Sequence, residues 1–316
     1  MTAFVVALAI SYIATPYVRR LALSLKIMVQ PGGRRIHSRP MPLWGGMAIY
    51  AAFTIACLLL FKTVGMKSRD QVSVMGVLLS GTIILIVGLI DDMRELSAWT
   101  QALAIVGASL LLTVFGVRIQ FYSNPFAHKM MSLSRPISYA VTIAWMFMVT
   151  KTIDFMDGLD GLAAGIGAIA AGVLAIMAYY SRQYHVALMA ASLSGACAGF
   201  LRFNFNPAKI FMGTGGSQFI GFCLAAISII GAFKGAAAMA VALPVLVLGV
   251  PIFDGLYVMF KRLLNKQPIH IADRSHLHHR LMARGLTHKQ AVFAIYIMAI
   301  ALGILAIWLA LHGIWR

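Results

Sequence analysis

The sequence has few acidic residues, few cysteines and no polar stretch long enough to form a soluble domain. Nine Asp and Glu residues stand against 26 Lys and Arg residues among 316, so the net charge is +17 and the pI is near 10.3. Cys57, Cys197 and Cys223 each lie inside an apolar run without CxxC spacing, which gives no support to a disulfide framework or a zinc site. Because no stretch is left for a soluble domain, residues 1–316 are predicted to form a single polytopic membrane domain.

Hydrophobic residues dominate what is present. They make up 61% of the chain, and the mean hydropathy of +0.87 is far above that of an ordinary soluble domain. A bilayer core of about 30 Å needs about 20 apolar residues in each helix. The predicted fold class is therefore an all-α integral membrane protein with about ten transmembrane helices. The ten apolar runs cover residues 2–18, 44–61, 72–90, 99–117, 137–155, 161–180, 185–201, 215–233, 236–259 and 291–312.

The first run and the basic charge each have a second interpretation. A cleaved signal peptide carries basic residues before its apolar run, whereas Arg19 and Arg20 follow it here, so a retained first span is predicted. A basic chain can also bind nucleic acid through a solvated patch with stacking aromatic side chains. Here the basic residues lie between apolar runs and do not form such a patch. The lipid bilayer is therefore the predicted partner, and nucleic acid is not expected.

The loops between the ten runs differ in charge. Of the 26 Lys and Arg residues, 17 fall on one side of the membrane, and the positive-inside rule makes that side cytoplasmic. Both chain ends then lie outside a multi-pass protein of the inner (plasma) membrane. Only Asp70 falls on the outer side, and the other acidic residues are Asp91, Asp92, Glu95, Asp154, Asp157, Asp160, Asp254 and Asp273. Since carboxylates near lipid are costly, their clustering predicts an active site on the cytoplasmic face.

The string from Asp154 to Leu162 combines three carboxylates with two glycines. Asp154, Asp157 and Asp160 recur every three residues. On one helical turn they would share a face, as the ligands of a divalent ion or the partners of a nucleobase require. A plain turn explains the glycines but not three acids beside lipid.

Asp91 and Asp92 form a second acidic motif at the end of the third run. Adjacent carboxylates repel each other, so ionising both is costly unless a cation or a solvated cavity relieves the repulsion. A solvated helix cap is the alternative interpretation.

The string His276-Leu277-His278-His279-Arg280 is cationic. If it is helical, His276, His279 and Arg280 share a face suited to phosphate or diphosphate, and His278 faces away. Zinc is a weaker interpretation because no cysteine accompanies the histidines, and surface histidines without function are a third.

Two further stretches allow both a structural and a functional interpretation. The first runs from Gly32 to Gly46 and contains Arg34 and Arg35, which fit a positive-inside anchor with Pro and Gly turns. The second, Arg202 to Gly213, contains Asn204 and Lys209, which can contact a polar ligand or cap a loop.

Taken together and in this order, these strings resemble the polyprenyl-phosphate N-acetylhexosamine-1-phosphate transferases, a glycosyltransferase family related to phospho-MurNAc-pentapeptide transferase. The strings at residues 157–162 and 276–280 are the most specific. The Gly33 to Gly46 stretch and the His-x-His-His string are similar to the undecaprenyl-phosphate GlcNAc-1-phosphate transferase branch, which starts O-antigen, lipopolysaccharide or teichoic acid synthesis.

The resemblance implies an enzyme that transfers GlcNAc-1-phosphate, or another HexNAc-1-phosphate, from a UDP-sugar to undecaprenyl (polyprenyl) phosphate and releases UMP. The implied cofactor is Mg²⁺, with Mn²⁺ as a substitute. Phospho-MurNAc-pentapeptide transferase activity is the nearest alternative, and a transporter or an inactive regulatory relative is an alternative of another class. The sequence is compatible with a homodimer as well as with a monomer. It is also compatible with both direct transfer and a route through an aspartyl nucleophile.

The resemblance also implies roles for individual residues. Asp91 and Asp92 would position or deprotonate the lipid phosphate, and Asp157 would lie at the active centre. The implied substrate-binding residues are Asp160 and Asn204 for the nucleoside, and His276, His279 and Arg280 for the diphosphate. Lys209, Arg34 and Arg35 are further substrate-binding candidates, because they could supply the basic phosphate contact that is missing where Gln101 stands. Glu95, Asp254 and Asp273 are interpreted as ordinary loop or helix-end groups.

The sequence departs from the family pattern at four positions. Thr214 replaces a magnesium-ligand aspartate, and Asp154 stands where relatives usually have Asn. We therefore predict a metal site in which Asp154 supplies the carboxylate that Thr214 lacks. Lys151, where relatives often have Asn, would weaken this prediction if it paired with Asp154. Gln101 stands where many relatives place a lysine.

Overall fold

The computed structural model of the chain describes residues 1–30, 40–61, 65, 67–124, 129–231, 239–264 and 276–312. Within these ranges the chain forms twelve helices and two short antiparallel strand pairs, β1 with β2 and β3 with β4. The helices are α1 (Thr2–Ser24), α2 (Gly46–Leu60), α3 (Ser68–Arg94), α4 (Ala98–Val114), α5 (Arg135–Met156), α6 (Leu162–Tyr180), α7 (Tyr184–Asn204), α8 (Gly213–Ile230), α9 (Met239–Val247), α10 (Gly249–Leu264), α11 (Leu277–Ala283) and α12 (His288–His312). The strands are β1 (Met28–Val29), β2 (Met41–Pro42), β3 (Phe121–Asn124) and β4 (Lys129–Ser132).

The helices follow the apolar runs of the sequence. Nine of the ten predicted runs each coincide with one helix. Among the described residues, α1, α3, α6, α7 and α12 are long and apolar enough to cross a membrane, and α2, α4 and α8 are shorter apolar helices. The prediction of an all-α integral membrane protein is thereby confirmed, while the number of spans and the extent of the single domain stay predictions.

The ninth run, residues 236–259, is not one helix. Residues 239–264 form α9 and α10, which meet at Leu248 between Pro244 and Pro251. A proline inside a helix lacks a backbone donor and crowds the preceding turn, so a break at this place is expected.

Helix α8 lies at the centre of the bundle. Every residue from Gly215 to Ser228 is buried, and α8 packs against α2, α3, α5, α6 and α7. At its beginning the backbones touch: a Cβ atom on Gly88 of α3 would collide with the Cα atom of Gly215, and one on Gly46 of α2 with that of Gly216. These glycine contacts bring the end of α3 directly against the beginning of α8.

The two ends of the bundle are chemically different. Asp70 at the start of α3 lies 3.7 Å from the Nδ1 atom of His185 at the start of α7. Asp91 and Asp92 lie at the other end of α3, where α7 ends at Asn204. The separation of Asp70 from these acids is as predicted, whereas the end that faces the cytoplasm stays a prediction.

Candidate active site

Asp92 lies between the end of α3 and the beginning of α8. Its Oδ1 atom accepts a 2.8 Å hydrogen bond from the backbone N–H of Thr214. Its Oδ2 atom is buried and has no hydrogen-bond partner among the residues that the structure describes. A Cβ atom at residue 213 would collide with this oxygen, and Gly213 also has a φ of +77°, so glycine is required there. A buried carboxylate oxygen without a partner is costly, which marks it as a place for a ligand.

Asp91 serves another part of the chain. Its Oδ1 atom accepts hydrogen bonds from the backbone N–H of Leu96 at 2.8 Å and from the Gln101 side chain at 2.9 Å. These bonds order the turn between α3 and α4. The two adjacent carboxylates therefore have different roles, since Asp91 stabilises this turn and Asp92 faces α8.

Asp154, in the last turn of α5, is surrounded by donors. Its Oδ1 atom accepts a 2.6 Å bond from the Ser217 hydroxyl, and its Oδ2 atom accepts bonds from Lys151 at 2.6 Å and from Gln218 at 3.2 Å. The ion pair with Lys151 is thus present. Thr214, the other residue of the predicted metal site, donates its backbone N–H to Asp92. The metal role of Asp154 and Thr214 stays a prediction.

Asp157 follows the last residue of α5 and lies close to three other carboxylates. Burial raises the pKa of Asp157 well above its usual range, and the charges of Asp154, Asp92 and Asp160 raise it further. The side chain accepts no hydrogen bond from the described part of the chain. Of the acids described around the beginning of α8, Asp157 and the Oδ2 atom of Asp92 therefore have the fewest protein partners.

The expectation that Asp154, Asp157 and Asp160 share one helical face is wrong. Helix α5 ends at Met156, and Gly161 has a φ of +81°, so the chain turns before α6 begins. The acids are brought together by this turn, residues 157–161, which is called the acidic turn below.

Asp160 and Asn204 join that turn to the loop after α7. The Oδ2 atom of Asp160 accepts bonds from the Asn206 side chain at 2.9 Å and from the Ala208 N–H at 3.1 Å. Asn204 is buried, and its amide accepts from Gly161 N–H and donates to the Ile210 carbonyl, both at 3.0 Å. Both residues thus have structural partners, and their predicted contact with the nucleoside stays a prediction.

The predicted basic residues lie in different places. Lys209 is exposed and lines an open pocket of about 530 Å³ together with Arg202 and Phe205. Arg34 and Arg35 lie outside the described residues. Among the acids, Asp273 also lies outside them.

The histidine string differs from the helical expectation. Helix α11 begins at Leu277, so His276 precedes it and does not belong to one helical face with His279 and Arg280. Instead, its Nδ1 atom lies 2.8 Å from the Oδ2 atom of Asp254, and Asp254 Oδ1 accepts a 2.6 Å bond from the Leu277 N–H. Interpreting Asp254 as a loop or helix-end group was wrong, because it lies inside α10 and is buried.

His278 does not face away from the acids, contrary to the expectation. It is buried, and a Cβ atom on Gly158 of the acidic turn would lie 2.7 Å from its Nε2 atom. Burial lowers the pKa of His278 to about 3, and the neighbouring His279 and His276 lower it further. The His-x-His-His spacing was the available signal, but the helix start decides which histidine points inward. The ring of His279 lies 4.2 Å from that of His278.

Arg280 has an aromatic partner. Its guanidinium carbon lies 4.5 Å from the centre of the Tyr257 ring. The predicted diphosphate role of His276, His279 and Arg280 stays a prediction.

The carboxylates of the site can be compared with the ligands that a magnesium ion requires. Among the described residues, no group of three or more His, Cys, Asp or Glu side chains is arranged to hold a metal ion. Mg²⁺ in phosphoryl-transfer sites is commonly bound by one or two carboxylates, with substrate phosphates and water as the other ligands. The Oδ2 atom of Asp92, which has no partner in the described part of the chain, and the nearby Asp157 fit that requirement.

Comparison with known proteins agrees with this arrangement. The model of glycosyl transferase family 4 matches residues 74–232, which run from α3 to the end of α8 and include every acid described around α8. A probable undecaprenyl-phosphate N-acetylglucosaminyl 1-phosphate transferase of Bacillus subtilis is 36% identical over the whole of this chain and 86% of its own length. The chain belongs to glycosyl transferase family 4.

Two further relatives have lower sequence identity to the chain. A decaprenyl-phosphate N-acetylglucosaminephosphotransferase of Mycolicibacterium smegmatis is 33% identical over 91% of this chain and 76% of its own length. A phospho-N-acetylmuramoyl-pentapeptide-transferase of Halalkalibacterium halodurans is 28% identical over 97% and 94%, respectively. The resemblance inferred from the motifs is therefore confirmed.

Proposed function

We propose that this protein transfers N-acetylglucosamine 1-phosphate from UDP-N-acetylglucosamine to a polyprenyl phosphate and releases UMP. The observation that carries the proposal is the buried Oδ2 atom of Asp92 beside Asp157, which has no partner among the described residues, in a chain of this family. The similarity to the Bacillus subtilis and mycobacterial relatives over most of the chain supports GlcNAc as the sugar.

The reaction joins two anionic molecules. A phosphate oxygen of the lipid forms a bond to the β-phosphorus of the donor, and the bond between this phosphorus and the oxygen of UMP breaks. The second pKa of a phosphate monoester is near 6, so the lipid phosphate is largely ionised at neutral pH and needs little base catalysis. The main task of the protein is therefore to offset negative charge and to align the two phosphates.

We propose that Asp92 and Asp157 hold Mg²⁺ for this purpose. When bound, the ion supplies positive charge against the phosphate oxygens. The Thr214 N–H fixes the other oxygen of Asp92, so that Oδ2 stays directed towards the ligand. Asp91 has a positioning role, because its hydrogen bonds to Leu96 and Gln101 hold the end of α3 in place.

The histidine cluster would contact the donor diphosphate. Asp254 holds the Nδ1 side of the His276 ring, which leaves the Nε2 atom to face a ligand. His278 lies against Gly158, so the cluster adjoins the acidic turn. Arg280 is held against Tyr257 and adds a permanent positive charge.

We further propose ten spans in the plasma membrane, with the acidic end of the bundle on the cytoplasmic side. The excess of Lys and Arg in the loops of that side supports this orientation. Cysteine substitutions at Asp70 and at Glu95, labelled in intact cells with a membrane-impermeant maleimide, test it: only the variant at residue 70 should react.

The transfer reaction is tested with purified protein in lipid nanodiscs. UMP release should require UDP-N-acetylglucosamine, undecaprenyl phosphate and Mg²⁺ together. Faster release from UDP-MurNAc-pentapeptide in a parallel assay would instead assign the chain to the activity named for the Halalkalibacterium relative. No release from either donor, with protein that stays folded, would favour a transporter or an inactive relative and contradict the proposal.

A further inference from the structure

A lysine lies within the acidic cluster. The Nζ atom of Lys151 is 2.6 Å from Asp154 Oδ2 and donates a second bond of 3.0 Å to the Gln101 side-chain oxygen. The side chains of Lys151 and Asp154 are only 19% and 15% exposed. Water therefore screens this ion pair less than it would screen a surface pair.

The pair leaves Asp154 with little capacity for another cation. Both of its oxygens already accept hydrogen bonds, from Ser217 on one side and from Lys151 and Gln218 on the other. A metal ion on Oδ2 would have to displace the ammonium group. Separating one partner of a largely buried ion pair is strongly unfavourable, because the other charge is left uncompensated.

Lys151 also acts on Asp91 through Gln101. Lys151 and Gln218 both donate to the Oε1 atom of Gln101, the latter at 3.0 Å. With its oxygen held in this way, Gln101 must direct its Nε2 group to Asp91, where the bond measures 2.9 Å. One network thus joins α3, α4, α5 and α8 through the ammonium group.

We propose that Lys151 is a built-in cation of the active site. It holds Asp154 in a neutral pair, orients Asp91 through Gln101, and so leaves Asp92 and Asp157 as the carboxylates that bind the divalent ion. This inference rests on the proposed function, and it assigns to the Lys151–Asp154 pair a positioning role in place of a direct metal contact.

The test measures binding of Mn²⁺ by electron paramagnetic resonance to the full chain in nanodiscs, without donor or acceptor. The variants are Lys151→Gln, Asp154→Asn and the double variant, with Arg69→Gln at the opposite end of the bundle as the control for loss of a positive charge. Since no substrate is present, the result does not depend on whether the transfer assay succeeds.

The expected results follow from charge. Lys151→Gln leaves an unpaired carboxylate and should tighten Mn²⁺ binding about tenfold, whereas Asp154→Asn leaves an unpaired ammonium and should weaken it about tenfold. The double variant removes the pair as a neutral unit and should bind Mn²⁺ within about twofold of the wild type. Asp92→Asn should abolish binding, and Arg69→Gln should leave it unchanged.

Three results would overturn the inference. A double variant that loses Mn²⁺ affinity at least as much as Asp154→Asn would make Asp154 a direct ligand. An unchanged affinity in Lys151→Gln would show that the ammonium group does not act on the site. Absence of Mn²⁺ binding to the wild type would show that the protein has no divalent-ion site of the kind inferred. Should a single variant fail to fold, the comparison of the double variant with the wild type still decides between pair and ligand.

Discussion

The beginning of α8 separates two regions that treat their carboxylates differently. On the α5 side, Asp154 accepts three hydrogen bonds, one of them from Lys151, with which it forms an ion pair. On the α3 side, Asp92 accepts one bond from Thr214 and keeps a buried oxygen without a described partner. A carboxylate whose bonds are all made within the protein stabilises the site, whereas one with an open oxygen is available to a ligand.

The largest effect is expected on the open side. Replacing Asp92 or Asp157 by Asn removes a charge from the proposed ion site, and UMP release should fall by about a hundredfold to a thousandfold. Asp70→Asn, which changes a carboxylate at the opposite end, should stay within about twofold of the wild type. Equal losses in all three variants would mean that the two ends do not differ in function.

The position of the open carboxylate depends on a backbone contact. Gly88→Ala places a methyl group against the Cα atom of Gly215 and should push α3 away from α8. The expected loss of stability is about 3 kcal/mol, measured as a lower thermal midpoint in detergent. Gly107→Ala in α4 is the control: nothing lies within 4 Å of its added Cβ, so stability should rise by about 0.5 kcal/mol. Similar midpoints for the two variants would contradict the close contact.

Removing an internal partner should affect stability more than turnover. Asn204→Ala leaves the N–H of Gly161 and the carbonyl of Ile210 without their partner, which should cost about 2 kcal/mol of stability. Thermal unfolding measures this loss, and KM for the UDP-sugar measures any direct contact with the nucleoside. A raised KM with unchanged stability would assign Asn204 to the substrate and not to the loop.

The smallest effect concerns pH. Burial holds the pKa of His278 near 3, below the unfolded value of about 6.5, so folding favours the neutral ring. The resulting stability is present above pH 6.5 and is lost as the pH falls towards 3. Between pH 7.5 and 5.5 the wild type should therefore lose about 1 kcal/mol more than His278→Gln, whose side chain does not titrate. Parallel pH dependences of the two thermal midpoints would contradict a buried neutral ring.

The sequence alone was sufficient for features that depend on local composition. Apolar runs of membrane length predicted nine of the helices, because about 20 apolar residues are needed to cross lipid and the backbone must satisfy its own hydrogen bonds there. Pro244 and Pro251 explain why the ninth run forms two helices, because a proline inside a helix lacks a backbone donor. The separation of Asp70 from the other acids followed from counting runs, and the positions of Asp70, Asp91 and Asp92 at opposite ends of α3 agree with it.

The partners of the site residues were not predictable in the same way. Asp92 and Thr214 are 122 residues apart, and Asp154 and Gln218 are 64 apart, so their pairing depends on how α3, α5 and α8 pack. The sequence raised the pairing of Lys151 with Asp154 as an alternative, but it could not show Ser217 and Gln218 completing the network. It also could not show where α11 begins, which decides that His278 points at the acidic turn.

What the sequence by itself determined is the family, the membrane class and the gathering of carboxylates at one end of the bundle. Only the tertiary structure decided which of these carboxylates already accept hydrogen bonds from other groups of the protein. The reason is physical: burial and charge pattern are properties of each segment, whereas a hydrogen bond exists only when two distant segments are held within about 3 Å of each other.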